Sequence, residues 1–311
     1  MINLKKIIIA EHYGFCMGVK RAISLVNDTM AAGGKVTIFK EIVHNEAIVK
    51  EFEKAGLGKS SAIDDIDHGT LIIPAHGAAP EIFRKAAEHG LRIVDATCPL
   101  VIRIHKIIRK LAENGYHVLH FGDPEHDETV GIVGQAPGKV NVIHGMNDLE
   151  RVGPFDGKLA LTSQTTARAA DFEQIQKQAR RRFPQVEVFN TICNATNQLQ
   201  AAVMNLAPRV DMMLIVGSKT SANSKRLAQI SQAICGYGFL IDTAENIKPE
   251  WFQHPDRKIE TVGLSAGAST PDFLIEGAIE KLKEMAKGVV EVVYPSKKSG
   301  QDRPALKDDV R

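Results

Sequence analysis

The sequence predicts an α/β protein assembled from about three similar blocks with parallel sheets. Between residues 6 and 293, short β-branched runs alternate with stretches of helical periodicity, the pattern of βαβ units. A cysteine recurs at three strand-to-helix junctions, as Cys16, Cys98 and Cys193. Strand after strand runs into a short polar loop, and open α/β sheets bind ligands on that face, near helix N-termini.

The first unit reads clearly. Residues 7–10 make a buried strand, and 19–30 carry Val19, Ala22, Ile23 and Val26 at helical spacing before Gly33-Gly34 stop the helix. A strand at 36–39 is followed by Ile42-Val43-His44-Asn45 and a short helix, and a strand at 70–74 closes on Ala75-His76-Gly77. Residues 80–89 are helical, and the strand at 92–97 delivers Cys98. The helix behind it is the most regular in the chain, with Leu100, Val101, Ile104, Ile107, Ile108 and Leu111 on one stripe and Asn114-Gly115 as its stop. Pro99 suits its first position, where a missing N–H needs no partner.

The next strand, 116–121, enters the loop 122–128, whose carboxylates are Asp123, Glu125, Asp127 and Glu128. Strands follow at 140–143 and 159–162, the latter ending in Ser163-Gln164-Thr165-Thr166. A helix over 168–182, ended by Pro184, leads to a strand at 186–189 and so to Cys193. After the helix 195–206 come a strand at 212–216, the polar loop 217–224, and a helix through Leu227 and Ile230. Strands at 239–242 and 261–264, a last helix and a strand at 289–293 complete the pattern, and the second of these strands ends in Ser265-Ala266-Gly267-Ala268-Ser269. Residues 295–311 are polar and uncapped, and are expected to be a disordered tail.

With 311 residues and 44% hydrophobic composition the chain can bury a large core. A formal charge of +2 with 24% charged residues shows no basic excess, so nucleic acid is not an expected partner. No apolar run approaches the roughly 18 residues that span a bilayer, and the first residues are too weakly apolar for a signal peptide. A cytoplasmic protein without a membrane partner is expected. Four cysteines are too sparse for a disulfide framework and too far apart for a local CxxC site, so any shared site must be assembled by the fold.

A helix N-terminus favours a thiolate, which places Cys16, Cys98 and Cys193 as metal ligands or nucleophiles rather than small buried hydrophobes. Cys235, at a helix end, reads as structural. His44, His76 and His126 each follow a strand on the face where the thiols lie, and protonated imidazoles there would bind an anion. Ser221, Asn223 and Ser269 resemble parts of an anion-binding loop. Neither GxGxxG nor a Walker A motif is present, so a nucleotide is not indicated. Glu128 is the evident proton donor of its loop.

These residues are similar to a known family. Gly14-Phe15-Cys16-Met17-Gly18-Val19, His44-Asn45, Ala75-His76-Gly77, Asp95-Ala96-Thr97-Cys98-Pro99-Leu100-Val101, Gln164-Thr165-Thr166, Thr191-Ile192-Cys193, Gly217-Ser218-Lys219 with Asn223-Ser224, and Ala266-Gly267-Ala268-Ser269 resemble 4-hydroxy-3-methylbut-2-enyl diphosphate reductase in order and spacing from about residue 7 to residue 285. The resemblance implies three similar α/β domains in a pseudo-threefold trefoil around a central iron–sulfur cluster. Cys16, Cys98 and Cys193 would hold a 4Fe-4S cluster whose fourth iron stays open for substrate. The expected domains are 14–97, 98–192 and 193–294, the last completed by the N-terminal strand within 1–13.

The implied reaction is the reductive dehydroxylation of an allylic diphosphate to isopentenyl and dimethylallyl diphosphate, the last step of the non-mevalonate isoprenoid pathway, with a ferredoxin or flavodoxin type electron donor. By the same resemblance Glu128 supplies the proton with Thr165 in its relay, while His44, His76, His126, Thr165, Ser221, Ala222, Asn223 and Ser269 contact the substrate. Three positions depart from the family's pattern. Asp127 stands where proline is usual, Ala222 where a second serine is common, and the stretch after Cys193 lacks the usual arginine. An ionised Asp127 near Glu128 is expected to raise the Glu128 pKa by like-charge repulsion. A diverged cluster protein and a cluster-free phosphate-binding α/β protein are the alternative readings.

Overall fold

The structure is a computed structural model and describes residues 1–295, so the tail expected at 295–311 lies outside the described residues from residue 296 onward. Its elements in chain order open with β1 (Lys6–Ile9), α1 (Met17–Ala31), β2 (Val36–Phe39), α2 (Glu46–Lys54), β3 (Gly58–Ser60), β4 (Thr70–Ile73), α3 (Pro80–Glu88) and β5 (Arg92–Asp95). There follow α4 (Pro99–Glu113), β6 (His117–Phe121), α5 (Asp127–Val133), β7 (Val140–Ile143), α6 (Met146–Arg151), β8 (Leu159–Ser163), α7 (Ala169–Arg182) and β9 (Glu187–Val188). The described residues end with α8 (Asn194–Leu206), β10 (Met212–Val216), α9 (Ala222–Cys235), β11 (Gly238–Ile241), β12 (Thr261–Ala266), α10 (Asp272–Met285) and β13 (Glu291–Val293).

The strands form three sheets, ordered β3-β2-β4-β5, β7-β6-β8-β9 and β11-β10-β12-β1-β13. Every strand pair is parallel. The predicted α/β class with three parallel sheets is therefore the observed one. In the third sheet β1 lies between β12 and β13, with Ile7 opposite Val262 and Val292. A parallel pair can enclose a strand from the far end of the chain because no hairpin is required.

Each sheet is covered on both faces, as its continuous apolar strands require. Alternate residues of β4 show how: Ile72 packs with Val19, Val26, Ile48 and Phe52, whereas Leu71 and Ile73 pack on the other face with Ala86 and Leu91. Burying each such aliphatic side chain contributes about 1.5–3 kcal/mol relative to leaving it in water.

The helices behind the three cysteines do not pack on the sheet whose strand they follow. Helix α1 leaves β1 of the third sheet and buries Val19, Ala22 and Val26 against the first. Helix α4 leaves β5 of the first and buries Ile104, Ile108 and Leu111 against Val118 and Ala160 of the second. Helix α8 leaves β9 of the second and buries Leu199, Val203 and Leu206 against Met213 and Ile215 of the third. Each junction is thus a handover from one sheet to the next, and the three handovers close a cycle.

Some elements differ from the sequence reading. The strand expected at 92–97 ends at Asp95 because its Oδ1 accepts from Thr97 N (3.0 Å) and from the Thr97 hydroxyl, turning the chain early. The strand expected at 186–189 contracts to Glu187–Val188. The acidic loop expected at 122–128 already enters α5 at Asp127, where Asp127 and Glu128 suit the positive end of a helix. Short β3 and α6 were not anticipated, being too brief to establish a period. No helix among the described residues is long and apolar enough to cross a membrane.

Candidate active site

Each of the three cysteines is the N-cap of its helix, Cys16 of α1, Cys98 of α4 and Cys193 of α8. Their backbone N–H groups make equivalent bonds, donating to Ala268 O (3.1 Å), Ala75 O (2.9 Å) and Thr165 O (3.0 Å). Each acceptor lies two residues beyond the end of β12, β4 or β8. The same bond, repeated three times, turns the chain where strand gives way to helix and directs the thiols to the middle of the cycle.

Cys16 and Cys98 meet against Gly18, where an added methyl would lie 2.6 Å from Cys98 Sγ and 3.8 Å from Cys16 Sγ. Cys98 and Cys193 each sense the charges of Cys16 and Glu128. All three thiols are half-buried and free. Cys235 stands apart at the end of α9, its Sγ 3.6 Å from Val210 O in the α8–α9 core.

One expectation needs correction here. Burial pushes the Cys98 and Cys193 thiols up, outweighing the N–H groups of Leu100 and Val101 for Cys98 and the Thr196 hydroxyl and N–H for Cys193, so the helix N-termini alone do not make thiolates. Three gathered thiols with like-charge neighbours suit a cationic metal group, which would favour their deprotonation. The missing Cβ at Gly18 leaves the space such a group requires. The donor set therefore fits a metal cluster.

The three predicted histidines also converge. His44 and His76 stack with centroids 4.8 Å apart and planes 9° apart, and His126 meets His44 edge-on at 4.8 Å. His44 is held by the residue after it: Asn45 Oδ1 accepts from Ala47 N (3.1 Å) and Ile48 N (3.3 Å), capping α2. His126 caps α5, its Nδ1 accepting from Glu128 N at 3.1 Å. A neutral His126 with that bond carries its proton on Nε2 and can donate from it.

The expectation of protonated imidazoles is opposed by burial. Burial lowers all three, His126 to about 4, His44 below its ordinary value and His76 well below it, with further lowering between the rings themselves. Burial thus favours the neutral rings, each of which keeps one N–H to donate.

The third block faces this cluster. Ser269 Oγ donates to His44 O at 3.3 Å, and the Lys225 charge of α9 reaches both His44 and His126. Ser221 caps α9, its Oγ accepting from Ser224 N at 3.3 Å. Ala222 begins the helix and, with a methyl side chain, can offer only its backbone N–H. Asn223 is 3% exposed, and both its amide oxygen and nitrogen are buried with no hydrogen-bond partner in the protein. The Nε2 atoms of His44 and His76 are orphaned likewise, although His76 Nε2 lies 3.5 Å from Asp127 Oδ2 without hydrogen-bond geometry. Each buried unsatisfied group costs about 1–3 kcal/mol, so the cluster marks a place for a polar ligand.

Glu128, 3% exposed, adjoins both sites. Its Oε1 accepts from Thr165 N (2.7 Å) and its Oε2 from Thr165 Oγ1 (2.6 Å). Burial raises its pKa against those two bonds. The direction agrees with the sequence reading, but the cause does not: Asp127 points away to an ion pair with Lys40 and to His76. Lys40 was missed by the sequence reading, because nothing in a lone lysine after a strand signals a partner far along the chain.

A cyclic three-sheet α/β fold that gathers three thiols, a buried acid and a cluster of three histidines with unpartnered polar atoms is that of a metal-cluster enzyme with a place for a polar ligand. A family model described as LytB protein matches residues 7–283, and the chain belongs to this family. Its members use an iron–sulfur cluster, and Cys16, Cys98 and Cys193 are present here. The chain is 38% identical over 286 residues to the 4-hydroxy-3-methylbut-2-enyl diphosphate reductase of Aquifex aeolicus, covering 91% of this chain and 97% of the relative. It is 37% identical to that of Mycolicibacterium paratuberculosis, covering 93% and 88%. It is also similar to the solved E-1-hydroxy-2-methyl-but-2-enyl-4-diphosphate reductase of Plasmodium falciparum, with TM-score 0.88, 27% identity and 98% and 95% coverage. A second solved structure, described as the terminal enzyme of the non-mevalonate pathway, matches with TM-score 0.64, 36% identity and 91% and 100% coverage.

Proposed function

We propose that the chain reduces 4-hydroxy-3-methylbut-2-enyl diphosphate to isopentenyl and dimethylallyl diphosphate, the last step of the non-mevalonate pathway. Two electrons and two protons replace the allylic hydroxyl by hydrogen and release water. The observation that carries this reading is the place of Glu128, whose charge is felt at Cys98 and Cys193 while the neighbouring His126 joins the anion cluster. A buried acid between a thiol set and an anion pocket is what protonation of a hydroxyl leaving from an anchored diphosphate requires.

In this reading Cys16, Cys98 and Cys193 hold one 4Fe-4S cluster with an open fourth iron, which supplies single electrons and Lewis acidity. His44, His76, His126, Ser221, Asn223 and Ser269 donate to the diphosphate oxygens, with Ala222 contributing backbone alone. Thr165 relays the proton that Glu128 delivers. The domains are taken as 14–97, 98–192 and 193–294 with the N-terminal strand. The electron donor is a ferredoxin or flavodoxin in the cytoplasm, and neither nucleic acid nor membrane takes part.

Anaerobic purification followed by reduction of the hydroxylated diphosphate with an artificial donor tests the proposal. A brown, active protein is expected, with Cys16→Ser, Cys98→Ser and Cys193→Ser each depleted in iron and Cys235→Ser unaffected. A protein that cannot be loaded with iron, or a loaded protein that leaves the substrate intact, would refute it.

A further inference from the structure

Lys40, just beyond β2, is the one non-glycine residue with positive φ among the described residues, at 59°. Side chains rarely take that conformation, and where they do it is commonly at a functional site. Its N–H donates to Ser60 O at 2.8 Å, which holds the turn. From there the ammonium crosses to the first residue of α5 and forms an ion pair with Asp127 Oδ1. The other oxygen, Oδ2, lies 3.5 Å from His76 Nε2. The Lys40 charge also reaches His44 and His76.

A carboxylate therefore stands in the wall of a pocket read as an anion site. Burial disfavours charge on the three imidazoles, so they do little to offset it. Without Lys40 the Asp127 carboxylate would stand unpaired beside a substrate carrying several negative charges, and like charges in a poorly solvated pocket repel strongly. With Lys40 the Asp127 charge is offset, Lys225 adds a cation on the side of His44 and His126, and the unpartnered polar atoms of the cluster can act.

We propose that Lys40 is a further residue of the diphosphate site: its ammonium neutralises Asp127 and, when substrate enters, is shared with the diphosphate oxygens. The inference rests on reading the histidine cluster as the diphosphate site. A pair that only fastens the first block to the second would give Lys40→Met and Asp127→Asn the same kind of loss, and the double variant would regain nothing. Charge compensation gives them opposite effects. Losing Lys40 exposes the anion to Asp127, whereas losing Asp127 frees Lys40 for the anion.

The experiment measures the affinity of the cluster-loaded protein for inorganic diphosphate by calorimetry, and KM and kcat for the hydroxylated diphosphate. Lys40→Met should weaken binding and raise KM by about tenfold or more, with KM moving further than kcat. Lys40→Gly, which suits the left-handed backbone, should do the same and shows that the charge rather than the turn is responsible. Asp127→Asn should bind at least as tightly as the parent, and Lys40→Met with Asp127→Asn should return to within about threefold of the parent. A parent that binds inorganic diphosphate while Lys40→Met and Lys40→Gly bind it equally well overturns this inference alone. So does a double variant as weak as Lys40→Met. A parent that binds none overturns the reading of the cluster as well.

Discussion

Glu128 accepts two bonds from a single residue, and that arrangement separates its role from that of its neighbour. Successive side chains in the first turn of a helix do not face each other, so Glu128 turns inward to Thr165 while Asp127 turns to Lys40 and His76. Adjacency in sequence suggested repulsion between the two carboxyl groups. Burial raises the Glu128 pKa instead, an effect of packing that no local pattern contains. Glu128→Gln can still accept from Thr165 but has no acidic proton to give. Turnover should fall by a factor of about 100 or more with iron content unchanged, since a positioned acid contributes about 10²–10⁴-fold. Undiminished turnover in a fully loaded variant would remove Glu128 from the chemistry.

At the scale of elements, the junctions that place the cysteines were legible because their signals are local. An apolar strand, a cysteine and an amphipathic helix stand in immediate succession, and each cysteine became an N-cap. The short β3 and α6 and the helical start at Asp127 were not legible, since a few residues cannot establish a period against polar neighbours. Helix α2 shows how a cap serves the site. Asn45 is 2% exposed, satisfies two N–H groups of that helix, and fixes the chain direction at His44. Asn45→Ala should lower stability by about 1 kcal/mol and weaken diphosphate binding, and Asn45→Asp should keep the cap. Thermal unfolding and calorimetry on the three proteins decide the matter. Unchanged stability and affinity in Asn45→Ala would mean that α2 and His44 are held by packing alone.

Over the whole molecule, three handovers place groups from three sheets in one interior, and this assembly fixes what the sequence could not reveal, the protonation of its histidines. An imidazole beside a strand end in a single block would be partly hydrated and readily charged. Packing in this interior buries His44, His76, His105, His120 and His126, and all have lowered pKa values with burial as the largest cause, His105 and His126 at about 4 and His120 at about 3. Folded values below the unfolded 6.5 mean that the unfolded chain binds more protons between about pH 6.5 and the folded values. The stability these neutral rings contribute is fully present above pH 6.5 and is lost as pH falls, by up to about 1.4 kcal/mol per unit for each ring. His120 isolates the effect, because it lies in β6 outside the His44–His76–His126 cluster, is fully buried, and among the described residues bonds only Thr162 Oγ1 through Nδ1, at 2.9 Å. Between pH 7 and pH 5, His120→Gln should lose less stability than the parent by up to about 2 kcal/mol, read from thermal unfolding at matched ionic strength. Parallel pH profiles for the two proteins would show that His120 titrates alike in the folded and unfolded chains, and that burial does not set the charge state of this interior.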